Sequence, residues 1–246
     1  MTIMGPASSR GGGKFLEISA VVPGVDQRLR PWVSAIAHQR LDAVTHVHAP
    51  DTATTLVLCS ASEGAFVIGP RDRARYHAGP PARRTVVRLA PGRAQAVLGV
   101  PADELAGRVV PLGELWSGAD ALEPAALTSA LLRRVASIDP GRSDLVHAAT
   151  GLLRTRGVAE TAVALNVSER QLRAVFTRAV GLSPKRFARV DRVRRVVARG
   201  RRGGWARVAV ELGYFDQAHL SAEFRAVMGV SPGAFARGDL PAATYC

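Results

Sequence analysis

The sequence predicts an α+β protein in which a small, mixed β-containing domain precedes an all-α domain. Three observations support this division. Short apolar runs bounded by turn residues occupy the first half, helical periodicity fills the second half, and most of the net charge lies in the second half. The chain has 246 residues, of which 47% are hydrophobic and 22% charged, which is typical of a globular protein with one or two domains.

The first half begins with a polar stretch, residues 1–14, which predicts a flexible arm. The segments TTLVLCS, GAFVIGP and RRTVVRLAP then have the length, β-branched content and bounding Gly or Pro of short strands. A helical stretch follows, with Leu127, Leu131, Val135 and Ile138 on one stripe that packs either on its own domain or against a second copy. We therefore expect a separate domain over residues 15–138, which ends at a DPGRS turn and linker.

The second half opens with two short helices whose spacing is distinctive. Ala162 is small enough for close helix approach, Asn166 tolerates positive φ four residues later, and Leu172 is an apolar anchor six residues further on. Ser168 is a suitable N-cap for a second helix that runs to about Val180. This spacing predicts a helix-turn-helix motif, which presents its second helix to a DNA major groove.

The same pattern occurs again about 48 residues later. Ala209, Gly213 and Leu220 repeat the spacing with one additional residue, and Asp216 is the N-cap. GLSPKRFAR (181–189) and GVSPGAFAR (229–237) close the two copies, and a linker helix over 184–200 joins them. The all-α domain, residues 143–238, is thus predicted to hold two helix-turn-helix motifs, followed by a tail at 239–246. Four aromatic residues are assigned to its core: Phe176, Phe187, Phe224 and Phe235.

The charge distribution favours a DNA-binding motif over an ordinary helical hairpin with only a structural role. Residues 142–246 carry 18 Lys and Arg against 8 Asp and Glu, a net +10, whereas residues 1–141 carry 15 against 12, a net +3. A positive half-chain favours a polyanionic partner, because each phosphate that Arg or Lys neutralises releases condensed counterions. Two motifs in tandem on this half-chain indicate binding to double-stranded DNA.

The second half also resembles a known family. The pattern AxxLxxSxxxLxxxF…GxSPxxF…R, followed by LGYFDQAHLSAEFRAVMGVSP at 212–232, is similar to the DNA-binding domain of the AraC/XylS transcriptional regulators. The resemblance covers residues 145–238. It implies seven helices, with those at 168–180 and 216–228 entering successive segments of the major groove about 34 Å apart.

The resemblance and the chemistry of the side chains together give candidate DNA contacts. Arg170 and Arg173 fit bidentate contacts to guanine. The family often has arginine at the position of Ala222, which Glu223 follows here, so the second helix is expected to contribute backbone contacts and shape readout. The predicted base-reading residues are Glu169, Arg170, Arg173, Ala174, Thr177, Asp216, Gln217, Ala218, Ser221 and Ala222. The predicted phosphate contacts are Ser168, Arg178, Lys185, Arg186 and Arg225. The RGRRGG cluster (199–204) either contacts phosphate or solvates a loop.

The first half is similar, more loosely, to small effector-type domains that precede AraC-type modules. The resemblance implies sensing of a small-molecule effector or formation of a homodimer, and an activator would also contact RNA polymerase. Among its residues, Arg71, Arg73 and Arg75 alternate as on one strand face, which either receives an anion or forms a solvated edge. Cys59 is predicted to be a buried apolar side chain rather than a redox sensor.

Two other classes of function remain beside a sequence-specific regulator. One is a nonspecific, chromatin-like DNA binder, suggested by the charge and by the Ala218 and Ala222 face. The other is a cupin-like metalloenzyme that uses His46 and His48, although no glutamate follows at the cupin spacing and no catalytic constellation stands out. We therefore expect no enzymatic activity, no metal and no cofactor. Two cysteines, and no run of about 18 apolar residues, predict a soluble cytoplasmic protein without a membrane span.

Overall fold

The computed structural model describes residues 14–16, 26–41, 45–59, 64–78, 82–119, 122–138, 144–199 and 204–245. The predicted arm up to residue 13, the linker at 139–143, the basic residues at 200–203 and Cys246 lie outside the described residues. The chain is α+β, with β structure in the first half and helices in the second, as predicted.

The first half is built on a five-stranded antiparallel sheet. Its strands are β2 (Val33–Leu41), β4 (Thr55–Cys59), β5 (Ala65–Ile68), β7 (Ala82–Leu89) and β8 (Val109–Pro111), in the order β2-β7-β4-β5-β8. The three apolar segments singled out in the sequence form β4, β5 and β7. Alternate residues of β4 point to opposite faces, so that Leu56 and Leu58 enter the core cluster while Thr55 and Val57 occupy the other face.

A second, four-stranded sheet lies nearer to the helical half. It has the order β1-β3-β6-β9, with strands β1 (Lys14–Leu16), β3 (Thr45–His48), β6 (Arg75–Ala78) and β9 (Thr244–Tyr245). The last strand comes from the end of the chain and pairs in parallel with β6. The segment that the sequence presented as a tail therefore returns to the first half of the molecule.

The core of the first half lies between the five-stranded sheet and three helices. These helices are α1 (Ala94–Leu98), α2 (Ala102–Leu105) and α3 (Leu127–Val135). Leu127, Leu131 and Val135 are buried in this core, and Ile138 packs against it. Of the two alternatives for the apolar stripe, packing on its own domain is the one that the structure contains.

The interpretation of Arg71, Arg73 and Arg75 as one strand face was wrong. Strand β6 begins only at Arg75, and Arg71 pairs instead through its backbone with Asp51 as an isolated bridge. Arg73 and Arg75 are exposed, whereas the Nε atom of Arg71 is buried. A bend at residues 72–73 separates Arg71 from the strand, so the alternation in the sequence does not correspond to a pleat.

Within the described residues the second half contains seven helices. They are α4 (Asp144–Leu152), α5 (Val158–Ala164), α6 (Glu169–Val180), α7 (Pro184–Arg199), α8 (Trp205–Glu211), α9 (Gln217–Met228) and α10 (Pro232–Arg237). The linker helix α7 has 16 residues and is about 24 Å long. Phe176, Phe187 and Phe224 are buried as predicted, and Phe235 packs against Phe224 at the edge of the core. None of the described helices has the length and apolarity needed to cross a membrane.

The two halves share a core instead of meeting across a polar surface. Val47 of β3 and Tyr76 of β6 belong to the same buried cluster as Leu220 and Phe224 of α9. The Tyr76 hydroxyl donates a hydrogen bond of 2.5 Å to the carbonyl of Met228, at the end of α9. The position of α9 is thus fixed partly by the first half of the chain.

Candidate nucleic-acid interface

The first helical pair, α5 and α6, is joined by a turn that requires a residue in the left-handed conformation. Asn166 adopts it, with φ of 54°. Ala162 is 2% exposed on the inner side of α5, and Leu172 is fully buried beneath the turn. The Ser168 hydroxyl accepts a hydrogen bond of 3.1 Å from the Gln171 amide and begins α6. The predicted spacing therefore produces a helix-turn-helix unit.

The second pair, α8 and α9, repeats this geometry. Gly213 makes the turn with φ of 72°, and Ala209 and Leu220 are fully buried on either side of it. The Asp216 carboxylate accepts a hydrogen bond of 2.7 Å from the His219 amide, which begins α9. Because both units have the same order of anchor, turn, cap and anchor, they present α6 and α9 in equivalent ways.

The outer face of α6 offers two guanidinium groups. Arg170, Arg173 and Ala174 are exposed, and Glu169 and Thr177 are half-buried at the margins. Arg173 forms an ion pair with Glu169, one helical turn earlier. An exposed pair of this kind contributes little net stabilisation, so a nucleic acid can compete for the Arg173 guanidinium. Both arginines have the donor geometry that suits the O6 and N7 atoms of guanine.

The equivalent face of α9 is chemically plainer. Asp216, Gln217, Ala218 and Ala222 are exposed, and Ser221 is half-buried. The Asp216 carboxylate is engaged in capping its own helix. Gln217 and Ser221 therefore carry the remaining hydrogen-bonding groups of this predicted set. In the 48-residue register of the two units, Ala218 and Ser221 stand where α6 has Arg170 and Arg173.

Glu223 lies on the inner side of α9, with its side chain 14% exposed. Its Oε1 is 3.6 Å from Arg192 Nη1 of α7, and the Arg192 guanidinium lies over the Tyr214 ring, 5.2 Å from the centroid. Burial raises the pKa of Tyr214, and the nearby Glu223 carboxylate raises it further. Glu223 thus braces α9 against α7, so the plain chemistry of the α9 face comes from Ala218 and Ala222 and not from an acidic group at position 223.

All five predicted phosphate contacts are exposed. Ser168 and Arg178 lie at the two ends of α6, and Arg225 lies in the last turn of α9. The remaining two, Lys185 and Arg186, lie in the first turn of α7.

An open cleft of about 1120 Å³ lies between the two helix-turn-helix units. Eight basic residues line it against three acidic ones, Asp72, Glu211 and Glu223. The basic residues are Arg73, Arg154, Arg156, Lys185, Arg186, Arg189, Arg192 and Arg195. This excess of positive charge extends the candidate surface from the two outer helices onto the linker helix between them.

Sequence reasoning assigned phosphate contacts only to Lys185 and Arg186 in the first turn of α7, and it missed the basic residues farther along this helix. Lys185, Arg189, Arg192 and Arg195 recur at intervals of four, three and three residues, which places them along one helical face. That periodicity was the available signal. Phe215, in the turn before α9, is 91% exposed. The sequence did not single it out as a surface residue, because an apolar side chain is ordinarily assigned to the core.

The histidines of the first half that the sequence offered as metal ligands lie on two paired strands. In β3 and β6, His46 pairs with His77 through the backbone, and the rings of His48 and His77 meet edge to face at 5.2 Å. Asp51 is engaged by two arginines. Within the part of the chain that the structure describes, no three His, Cys, Asp or Glu side chains are arranged to hold a metal ion. Cys59 is half-buried, not fully buried as predicted.

Comparison with known families gives a match within the second half. Residues 161–238 match a family model described as a helix-turn-helix domain, of the AraC type. The chain has no significant match among curated proteins.

Solved structures with a similar arrangement come from two bacteria. The C-terminal domain of AraT, a response regulator from Geobacillus stearothermophilus, is 22% identical, with 40% of this chain and 88% of that chain covered and a TM-score of 0.37. ToxT from Vibrio cholerae O395, bound to (E)-4-(8-methylnaphthalen-1-yl)but-3-enoic acid, is 10% identical, with coverages of 82% and 98% and a TM-score of 0.44. Another ToxT structure from Vibrio cholerae is 8% identical, with coverages of 82% and 97% and a TM-score of 0.43. No residue role or ligand follows from likeness at this level.

Proposed function

We propose that this chain, whose residues 161–238 match a helix-turn-helix family model, is a DNA-binding transcriptional regulator that binds specific operator sequences through α6 and α9 together. The two helices enter successive segments of the major groove on one side of the duplex, about 34 Å apart. Transcription regulators of this type are typically not enzymes.

One observation carries this proposal: the chain builds the same helix-turn-helix unit twice and joins the copies by a single helix. Asn166 and Gly213 make the two turns with φ of 54° and 72°, and Leu172 and Leu220 are fully buried beneath them. A structural hairpin has no need for two such units held by a helix of about 24 Å. Two reading elements at a fixed separation are what binding to successive segments of one DNA groove requires.

The two helices are proposed to differ in what they read. Helix α6 supplies Arg170 and Arg173, with Glu169, Ala174 and Thr177 around them, and it makes the main base contacts. Helix α9 supplies Asp216, Gln217, Ala218, Ser221 and Ala222, and it contributes shape readout and a few polar contacts. The phosphate contacts come from Ser168, Arg178, Lys185, Arg186 and Arg225, with Arg189, Arg192 and Arg195 of the cleft adding to the electrostatic attraction.

The first half is proposed to sense a small-molecule effector or to form a homodimer. It is also proposed to change the position of α9 directly. The shared core with Val47 and Tyr76 supports this, as does the hydrogen bond from Tyr76 to the Met228 carbonyl. A change in the first half that moves β6 also moves the end of α9. An activator of this design would in addition contact RNA polymerase.

In vitro selection from a random duplex pool tests the proposal, with the full-length protein at moderate salt. We expect enrichment of a bipartite motif whose half-elements are about 10 base pairs apart, one strong and one weak. The matched control is Arg173→Ala, which should relax the strong element and leave the weak one in place. Enrichment of a single element would show that α9 contacts only the DNA backbone and reads no bases. Binding without enrichment would overturn sequence-specific recognition and favour the nonspecific binder.

A further inference from the structure

A small cavity of about 50 Å³ lies at the junction of the two halves. One wall is the face of the five-stranded sheet opposite the first core, represented by Thr55, Val57 and Val86. The other wall belongs to the DNA-binding half and includes Arg194 of α7 and Met228 of α9. Whatever fills this cavity therefore touches both halves of the chain.

The charges around the cavity are unbalanced. Asp51 is the one carboxylate among the described residues that line it, beside Arg71, Arg84 and Arg194. Asp51 Oδ1 is 2.5 Å from Arg88 Nη2 and 2.9 Å from Arg194 Nη1, so its charge is already shared between two guanidinium groups.

Arg71 and Arg84 are the other two arginines of the cavity wall. Neither forms an ion pair among the described residues. The Nε atom of Arg71 is buried and has no hydrogen-bond partner there, and Arg84 Nε donates 2.9 Å to the neutral amide oxygen of Gln39. Burial lowers the pKa of both guanidinium groups. For Arg71 the Asp51 carboxylate acts in the opposite direction, and repulsion from Arg75 and Arg84 lowers the pKa further.

Partly buried guanidinium groups that lack an ion-pair partner are costly, and they favour an anion that enters from solution. The available room limits the size of that anion. One water needs about 10–15 Å³ on this measure, so a cavity of about 50 Å³ accommodates about four or five non-hydrogen atoms. Val57 and Val86 provide an apolar surface against which a methyl group can pack.

We propose that this junction cavity binds a small oxyanion, of the size of acetate, propionate or phosphate, between Arg71 and Arg84. The anion neutralises the two arginines and contacts Arg194 and Met228 across the junction, so its occupancy stabilises the packing of the first half against α7 and α9. This inference deepens the proposed effector role by giving the effector a chemical class, and it rests on the proposed function only for its effect on DNA binding.

Thermal unfolding of the full-length protein tests the site without DNA, so its failure is distinct from a failure of DNA recognition. Sodium acetate, propionate and phosphate are titrated separately at constant ionic strength in chloride, together with propionamide as the uncharged analogue of propionate. We expect at least one oxyanion to raise the unfolding temperature saturably, by about 5 °C or more at a hundredfold excess over its Kd. The acetate, propionate and phosphate arms distinguish a carboxylate ligand from a phosphate.

Matched variants locate the effect. Arg71→Gln and Arg84→Gln should lose the saturable shift, whereas Arg83→Gln should retain it, because Arg83 is exposed on the opposite face of the strand from Arg84. If Arg84→Gln fails to fold, Arg84→Lys keeps the charge and should retain binding with lower affinity. The inference is overturned if no oxyanion gives a saturable shift, if propionamide acts as propionate does, or if all three Gln variants respond as the wild type does.

Discussion

Arg173 combines two properties at the scale of single residues. Its guanidinium is exposed on the outer face of α6, and it is held in the free protein by Glu169 on the same face. Such a pair orients the guanidinium at low cost, because an exposed ion pair is worth at most about 1 kcal/mol. Arg178, one and a half turns later, is exposed in the last turn of the helix and has no acidic partner among the described ion pairs. The two residues therefore make a natural comparison of base reading with phosphate contact.

We expect Arg173→Ala to lose about 1–3 kcal/mol of binding free energy at one base position and to relax specificity there. Arg178→Ala should instead weaken binding to all duplexes by similar amounts and reduce the salt slope by about one. Fluorescence anisotropy with the selected operator, its single-base variants and several salt concentrations measures both effects. Identical behaviour of the two variants would contradict this division of roles.

At the scale of elements, the two units end in the same way but in different surroundings. Gly181 ends α6 with φ of 78°, and Gly229 ends α9 with φ of 76°. A Cβ atom at Gly181 would lie 2.4 Å from Pro70 Cγ and 2.6 Å from the Ala102 carbonyl oxygen, because α6 ends against the first half of the chain. At Gly229 the nearest atom would be Pro241 Cγ, at 3.7 Å.

This pair of glycines separates backbone strain from packing between the halves. Gly229→Ala should cost about 1–2 kcal/mol of unfolding free energy, for the left-handed conformation alone. Gly181→Ala should cost about 1–3 kcal/mol more, because Pro70 and the backbone of Ala102 must also move. Urea unfolding of both variants beside the wild type measures the difference. Equal losses would mean that Pro70 and Ala102 make room for the added methyl group without a cost in free energy.

At the scale of the whole molecule, Asp51 ties the two halves together. Its carboxylate pairs with Arg88 of β7 and with Arg194 of α7, and its side chain is 13% exposed. Burial by itself would raise the pKa of Asp51, but Arg88 and Arg194 outweigh it and lower the pKa to about 2. A lowered pKa stabilises the fold above the unfolded-state value near 3.8, and this stabilisation is lost as the pH falls from about 4 to about 2.

Asp51→Asn should therefore destabilise the protein by about 3–5 kcal/mol at neutral pH, since it leaves two arginines partly buried and unpaired. The difference from the wild type should shrink as the pH falls from 4 towards 2, where Asp51 of the wild type becomes protonated. Urea unfolding at several pH values measures this. Asp26→Asn is the control, because Asp26 pairs with the exposed Arg28 two residues away, and such a surface pair contributes little to stability.

Asp72 of the first half reaches the basic cleft of the second. Its Oδ2 is 3.6 Å from Arg186 Nε and 3.9 Å from Arg189 Nη2. A carboxylate in this position opposes an approaching phosphate, so Asp72→Asn should tighten binding to all duplexes by up to about 1 kcal/mol. Anisotropy titrations at fixed salt test this, with Glu114→Gln, an exposed acidic residue outside the cleft, as the control. Unchanged or weaker binding by Asp72→Asn would mean that these arginines do not face DNA.

The sequence by itself determined the local structure of the helical half and the division of the chain into two parts. The turns at Asn166 and Gly213 and the caps at Ser168 and Asp216 follow from spacing and local chemistry, which act within a few residues. Three apolar runs likewise became the strands β4, β5 and β7.

Only the tertiary structure decided the contacts between distant parts of the chain. The pairing of Asp51 with Arg88 and Arg194, the hydrogen bond from Tyr76 to Met228 and the return of the chain end to β6 join residues separated by 37 to more than 150 positions. The direction of Glu223 towards Arg192 and the burial of the Arg71 Nε atom are of the same kind. Such contacts depend on how whole elements pack, and neither periodicity nor capping chemistry in a single sequence specifies which element lies opposite which.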